Sequence, residues 1–193
     1  MDGDTVVAYD RGVAILITGF VPWGTNAVNP SGEIARELGG HLLPVDFDGA
    51  ARELRRLLRK NRPDAVLMMG LAPGRTTIAL EAVALNVEHH DEKGKDRRRQ
   101  RTIRRGGPLA LPSRLPLDRI YDRLRNAGVA VSISHHAGTF VCNRVFYEGL
   151  SACAVPCGFV HVPPFTAMSR PRQIRAIRAI LRTIAGSSPA ATR

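Results

Sequence analysis

The chain has 193 residues, 44% of them apolar, and a formal charge of +11. That length suits one compact domain with its own core, without a disulfide framework. No apolar run approaches the roughly 20 residues of a membrane span, and a start carrying Asp2 and Asp4 is not a secretory leader. A soluble cytoplasmic protein with no membrane partner is expected.

The charge is uneven. Lys93 to Arg105 holds eight basic residues and one acid, +7 of the total. No aromatic interleaves them, so a solvated loop accounts for the run better than a nucleic-acid surface does, and nucleic acid is not expected as a partner. The three cysteines, Cys142, Cys153 and Cys157, are an odd number, which points to free thiols. Cys153 and Cys157 could be a redox pair or half a metal site. No second Cys/His pair stands near them at zinc spacing.

In chain order, Val13 to Thr18 is a continuous β-branched run and reads as a buried strand ending at Gly19. A Gly/Pro/Asn loop follows to Pro30. Ser31 is the expected N-cap of a helix through Leu38, stopped by Gly39-Gly40. A short strand near His41 to Val45 precedes a helix from about Asp48 to Lys60, with Leu54, Leu57 and Leu58 on one face. Ala65 to Gly70 is a second buried strand, and Thr76 to Val87 reads as extended. Residues 88–112, charged and then Gly/Pro-rich, form the one long loop. A helix over Leu117 to Asn126, closed by Gly128, leads to a strand over Val129 to Ser134. Then come a helix over Thr139 to Leu150, a strand over Gly158 to Val162 and a basic helix over Arg170 to Ala185. The tail 186–193 is expected to fray. Alternating strands and helices predict a single α/β domain over 1–193, built on a mostly parallel sheet.

Chemistry should collect where strands end. Cys142 falls in the first turn of a helix, where free N–H groups and the dipole favour a thiolate and could form an oxyanion hole. A small buried hydrophobe is the alternative. His161 lies in an apolar strand running into Pro163-Pro164 and is either a core residue or a general base for a thiol. Glu81, in an apolar strand, is either a surface residue or the acceptor that orients His161. Phe20 and Trp23 either wall an apolar pocket or pack their loop down.

Taken together and in order, four blocks resemble the pyroglutamyl-peptidase I (pyrrolidone-carboxylate peptidase) family of cysteine peptidases. They are Thr18 to Gly24 with Asn29-Pro30-Ser31; Gly70 to Arg75 with Glu81 to Asn86; Ser134 to Asn143; and Gly158 to Pro163. The resemblance implies a three-layer α/β/α sandwich and an omega peptidase that needs no cofactor and no metal. Such an enzyme removes an N-terminal pyroglutamyl residue from peptides. By the same resemblance Cys142 is the nucleophile, His161 its base and Glu81 the residue that orients His161. Phe20, Trp23, Phe140 and Val141 match pocket walls, while Asn29 and the backbone of Leu71 match positions that hydrogen-bond the lactam. Relatives assemble as dimers or tetramers, and a homo-dimer or homo-tetramer is implied here.

The sequence departs from the family pattern at Leu71, Pro73 and Ala82, and in the loop that begins at Glu88. One alternative is therefore a non-catalytic or altered-specificity relative that holds an acidic partner or RNA through residues 93–105. Another is a metal site built from His89, His90, Asp91, His135 and His136.

Overall fold

A computed structural model describes residues 7–9, 12–24, 27–89 and 100–187. The strands are β1 (Val7–Tyr9), β2 (Val13–Phe20), β3 (His41–Leu43), β4 (Ala65–Leu71), β5 (Ile78–Leu85), β6 (Glu88–His89), β7 (Gln100–Arg101), β8 (Ala110–Pro112), β9 (Val131–His136) and β10 (Cys157–Val162). The helices are α1 (Pro30–Glu37), α2 (Phe47–Asn61), α3 (Leu117–Asn126), α4 (Val141–Ala152) and α5 (Arg170–Ser187).

The main sheet runs β1-β2-β4-β10-β5-β8, with β3 also on β2 and β9 also on β5. Pairs β2–β3, β2–β4, β4–β10 and β5–β9 are parallel, whereas β5 runs antiparallel to β10. Successive strand residues face opposite ways, so each central strand feeds two cores. Ile15, Ile17, Leu67, Met69, Leu80 and Val160 pack with Ile34 of α1, Ile120 of α3 and Ile177 of α5. Leu16, Val66, Met68 and Phe159 pack on the other face with Leu54 of α2 and Phe146 of α4. These are the three layers of an α/β/α sandwich with a mostly parallel sheet. Because both faces are covered, the central strands read as unbroken apolar runs.

Four local expectations are corrected. The N-cap of α1 is Asn29, not Ser31: the Asn29 side chain accepts from the Ser31 N–H, and Pro30 takes the first helical position, where its missing N–H costs nothing. The cap of α2 is Asp46, two residues before the expected start, accepting from the Gly49 N–H. The stretch 88–112 is not one open loop, because β6, β7 and β8 lie in its described parts. Its return leg is tied down by Asn86, whose amide donates to the Arg104 and Gly107 carbonyls, and by Tyr147, whose hydroxyl donates to Pro108. The tail is helical through Ser187, whose hydroxyl bonds the Thr183 carbonyl. Residues 188–193, and residues 93–99 of the basic run, lie outside the described residues.

Candidate active site

The register between β10 and β5 creates the centre of the site. Phe159 stands opposite Glu81, and His161 opposite Ala79. Directly opposed residues of an antiparallel pair share a face, and the diagonal neighbour two positions along is within reach of a long side chain. Glu81 and His161 are such a diagonal pair: Nδ1 of His161 lies 2.7 Å from Oε1 of Glu81. Glu81 is fully buried, so the surface alternative for it does not hold.

A buried carboxylate needs further compensation. Arg75 supplies it, donating to the same Oε1 at 3.0 Å and to Ser134 Oγ at 3.0 Å. The turn that aims Arg75 closes with its N–H on the Ala72 carbonyl. Glu81 thus bridges an imidazole and a guanidinium, while its Oε2 has no hydrogen-bond partner among the described residues.

Cys142 arrives from the other side of the same sheet end. The chain leaves β9, turns at Gly138 with a left-handed φ of 80°, and enters α4 with Cys142 in its first turn. Phe140 caps the helix without a side-chain hydrogen bond, so the cap residue leaves the N–H groups of the first turn around Cys142 open. Asn143 fixes this corner in place. Its amide donates to the Leu85 and Val87 carbonyls and accepts from the Leu85 N–H.

Parallel pairing places Gly70 of β4 beside His161. The Cys142 thiol occupies the space that a side chain on Gly70 would take, since a β-carbon there would lie 2.8 Å from Sγ. From that seat over Gly70 the thiol faces the strand position that His161 occupies. Burial pulls the imidazole pKa down, but the Cys142 and Glu81 charges and hydrogen bonds outweigh it and push it up to about 9. The arrangement therefore favours an imidazolium between a sulfur and a carboxylate at neutral pH.

The remaining expected residues cluster nearby. Trp23 packs on Phe140 at 6.0 Å between ring centroids, and Phe47 meets Phe140 edge-on at 5.3 Å. Phe20 and Val141 are buried behind them, so they back the wall rather than face solvent. Leu71 ends β4 directly after Gly70 and is half-buried. Asn29 is buried, with its amide donating to the Val21 carbonyl and its oxygen accepting from the Ser31 N–H and hydroxyl. The loop that presents Trp23 is held by these bonds.

Sequence reasoning alone did not single out Gly70, Arg75, Phe47 or Asn143. Arg75 had a signal, because a buried glutamate implies a cationic neighbour. Among the described residues no group of three His, Cys, Asp or Glu side chains could hold a metal ion. His90 and Asp91, of the metal-site alternative, lie outside the described residues.

A family model described as Pyroglutamyl peptidase matches residues 13–173. Pyrrolidone-carboxylate peptidase 1 of Ralstonia nicotianae is 41% identical over 180 residues, covering 82% of this chain and 83% of that protein. Pyrrolidone-carboxylate peptidase of Pseudomonas fluorescens is 39% identical over 167 residues, 77% and 78% of the two chains. Among solved structures, a mutant pyrrolidone carboxyl peptidase from Pyrococcus furiosus superposes with a TM-score of 0.84 at 30% identity, covering 91% of this chain and 99% of that one. Pyroglutamyl Peptidase I of Bacillus amyloliquefaciens gives 0.83 at 29% identity, covering 90% and 97%. With four blocks matched in order, a thiol, imidazole and carboxylate brought together and these likenesses along the chain, the protein belongs to the pyroglutamyl peptidase family of cysteine-type hydrolases.

Proposed function

We propose that this chain hydrolyses the bond after an N-terminal pyroglutamyl residue, with Cys142 as nucleophile, His161 as acid and base, and Glu81 as the residue that orients His161. The convergence of the three side chains, with Arg75 behind them, is the observation that carries the reading. Because Nδ1 of His161 is engaged by Glu81, Nε2 is the nitrogen left for the thiol. With the Cys142 proton already held on Nε2 as the imidazolium, the thiolate attacks the pyroglutamyl carbonyl carbon. Charge develops on the carbonyl oxygen and is met by the uncapped N–H groups at the start of α4. The imidazolium then protonates the departing amine, leaving a thioester on Cys142. Water attacks that thioester with His161 as base, which releases pyroglutamate and restores the thiol.

The substrate ring is flat, uncharged and partly apolar. Trp23 and Phe140 offer it an apolar wall, while the backbone of Leu71, directly after Gly70 at the end of β4, matches the position that hydrogen-bonds the lactam. Pyroglutamylated peptides are accordingly the partner. No described helix is long and apolar enough to cross a membrane. All three cysteines are free thiols, which suits a reducing cytoplasm.

The test is hydrolysis of a fluorogenic pyroglutamyl amide under reducing conditions. Turnover by the wild type and none by Cys142→Ala is expected. If the wild type is silent while iodoacetamide still labels Cys142 fastest, the substrate assignment fails and the nucleophile stands. If Cys142 is also inert, the catalytic reading fails, and the binding-only alternative through residues 93–105 takes its place.

A further inference from the structure

The other two cysteines lie at the opposite end of α4, about 16 Å along the helix from Cys142. Cys153 is the C-cap residue of α4, in an extended conformation, and its thiol donates to the Gly149 carbonyl at 3.1 Å. Cys157 opens β10 and is fully buried, and its sulfur would lie 3.3 Å from a β-carbon on Gly149, so both sulfurs converge on that residue. Arg114 is fixed over the pair. Its guanidinium donates to the carbonyls of Leu150, Cys153 and Val155, and Nη2 stands 3.8 Å from the Cys153 sulfur.

These contacts make the two thiols unequal. The hydrogen bond from Cys157, opposed by burial and aided by the Arg114 charge, lowers the Cys153 pKa to about 7. The same contact and full burial raise that of Cys157. One thiol is poised to attack and the other is held in reserve, the division of labour a dithiol exchange site requires.

Cys153 also lines an open cleft of about 520 Å³, together with Arg55, Arg59 and Arg62. Arg55 is paired with Glu148, but among the described residues neither Arg59 nor Arg62 has a carboxylate partner. Cations beside an ionised sulfur select a reagent that carries carboxylates of its own.

We infer that Cys153 and Cys157 form a second thiol site, which accepts small anionic disulfides through the cleft lined by Arg59 and Arg62. The Cys153 thiolate attacks one sulfur of RS–SR′, forming Cys153–S–S–R and expelling R′S⁻. That anion takes up a proton from the solution, and Cys157 gives up its own. The Cys157 thiolate attacks the Cys153 sulfur and expels RS⁻. The protein loses two electrons and gains a Cys153–Cys157 disulfide, and the small disulfide is reduced to two thiols. The bond joins the end of α4 to the start of β10, the two elements that carry Cys142 and His161.

The experiment uses the full-length Cys142→Ala variant, so its outcome is independent of the peptidase reading. It is treated with oxidised glutathione and, in parallel, with the uncharged bis(2-hydroxyethyl) disulfide, and each rate is divided by that of a small reference thiol. Peptide mapping is expected to find a Cys153–Cys157 disulfide, formed about tenfold faster with the anionic reagent after normalisation. Adding Arg59→Gln and Arg62→Gln removes that preference, and adding Cys157→Ala leaves glutathione trapped on Cys153. Equal normalised rates for the two reagents, or a Cys153 that stays unmodified in the Cys142→Ala protein, overturn the inference.

Discussion

The Cys142 thiol rests on the bare backbone of Gly70: a β-carbon at that glycine would sit 2.8 Å from Sγ and 2.9 Å from the Phe159 ring. Because Gly70 pairs in register with His161, the missing side chain is what allows sulfur and imidazole to meet over neighbouring strands. Gly70→Ala is therefore expected to displace the thiol. Overpacking of this kind costs about 1–3 kcal/mol, and misplacing a reacting atom by about 1 Å costs on the order of 10²-fold in rate. The measurement pairs kcat/KM with the rate of Cys142 alkylation by iodoacetamide. A drop in both, with the protein still folded, is the expected result; unchanged alkylation would mean that the thiol does not depend on Gly70.

Glu81→Gln tests the carboxylate that holds His161. The free Nε2 needs a proton to release the leaving amine, so activity should fall as pH rises through the imidazolium pKa, about 9. Glu81 is one of the groups that raise this value. Its neutral replacement should move the alkaline limb of kcat/KM to lower pH and reduce the rate by about 10²–10⁴-fold. A limb that stays in place in the variant would remove His161 from that ionisation.

The order of elements and the three catalytic candidates were legible in the chain because apolar runs, helix stops and four motif blocks are local signals. The pairing of Glu81 with His161 was not local: it comes from an antiparallel register between strands 80 residues apart, and without it each residue kept a plausible structural reading. The role of Gly70 depends on what stands above it, which no spacing encodes. By contrast, the Asn29 cap could have been read, because Pro30 belongs at the first helical position and so assigns the cap to the residue before it. Residue type alone points to Ser31, but its hydroxyl accepts from the Phe20 N–H and donates to Asn29.

Arg75→Met removes one of the two donors to a fully buried carboxylate oxygen. The arginine is partly exposed, so water screens part of the loss, and a cost of about 1–2 kcal/mol is expected in urea denaturation. Activity should fall as well, because Glu81 then loses one of the bonds that aim it at His161. Arg75→Lys should recover part of the activity while losing the link to Ser134. Full activity in Arg75→Met would show that His161 and burial suffice to hold Glu81.

Asn143→Ala leaves the Leu85 N–H and the Leu85 and Val87 carbonyls without their partner at a fully buried position. A loss of about 2–4 kcal/mol is expected, since each stranded group carries its own desolvation penalty. Asn143 follows the nucleophile directly, so the variant should also alkylate more slowly at Cys142 while still folded at low urea. A stability change without any effect on Cys142 would confine Asn143 to holding the β5–β6 corner.

Trp23→Ala separates binding from chemistry. The ring lies 6.0 Å from that of Phe140 at the start of the nucleophile helix, half-buried and off the main core. Losing an aromatic wall of this kind is worth about 1.5–3 kcal/mol of apolar contact, or roughly 10–100-fold in KM for a pyroglutamyl amide. kcat should change little, because the ring packs on Phe140 and stands outside the Cys142, His161 and Glu81 set, and a loss confined to KM is the mark of binding shared by ground and transition states. The thermal midpoint should move by only a few degrees. If instead kcat collapses and KM holds, Trp23 acts by positioning Phe140 and the first turn of α4, and the lactam ring is bound elsewhere.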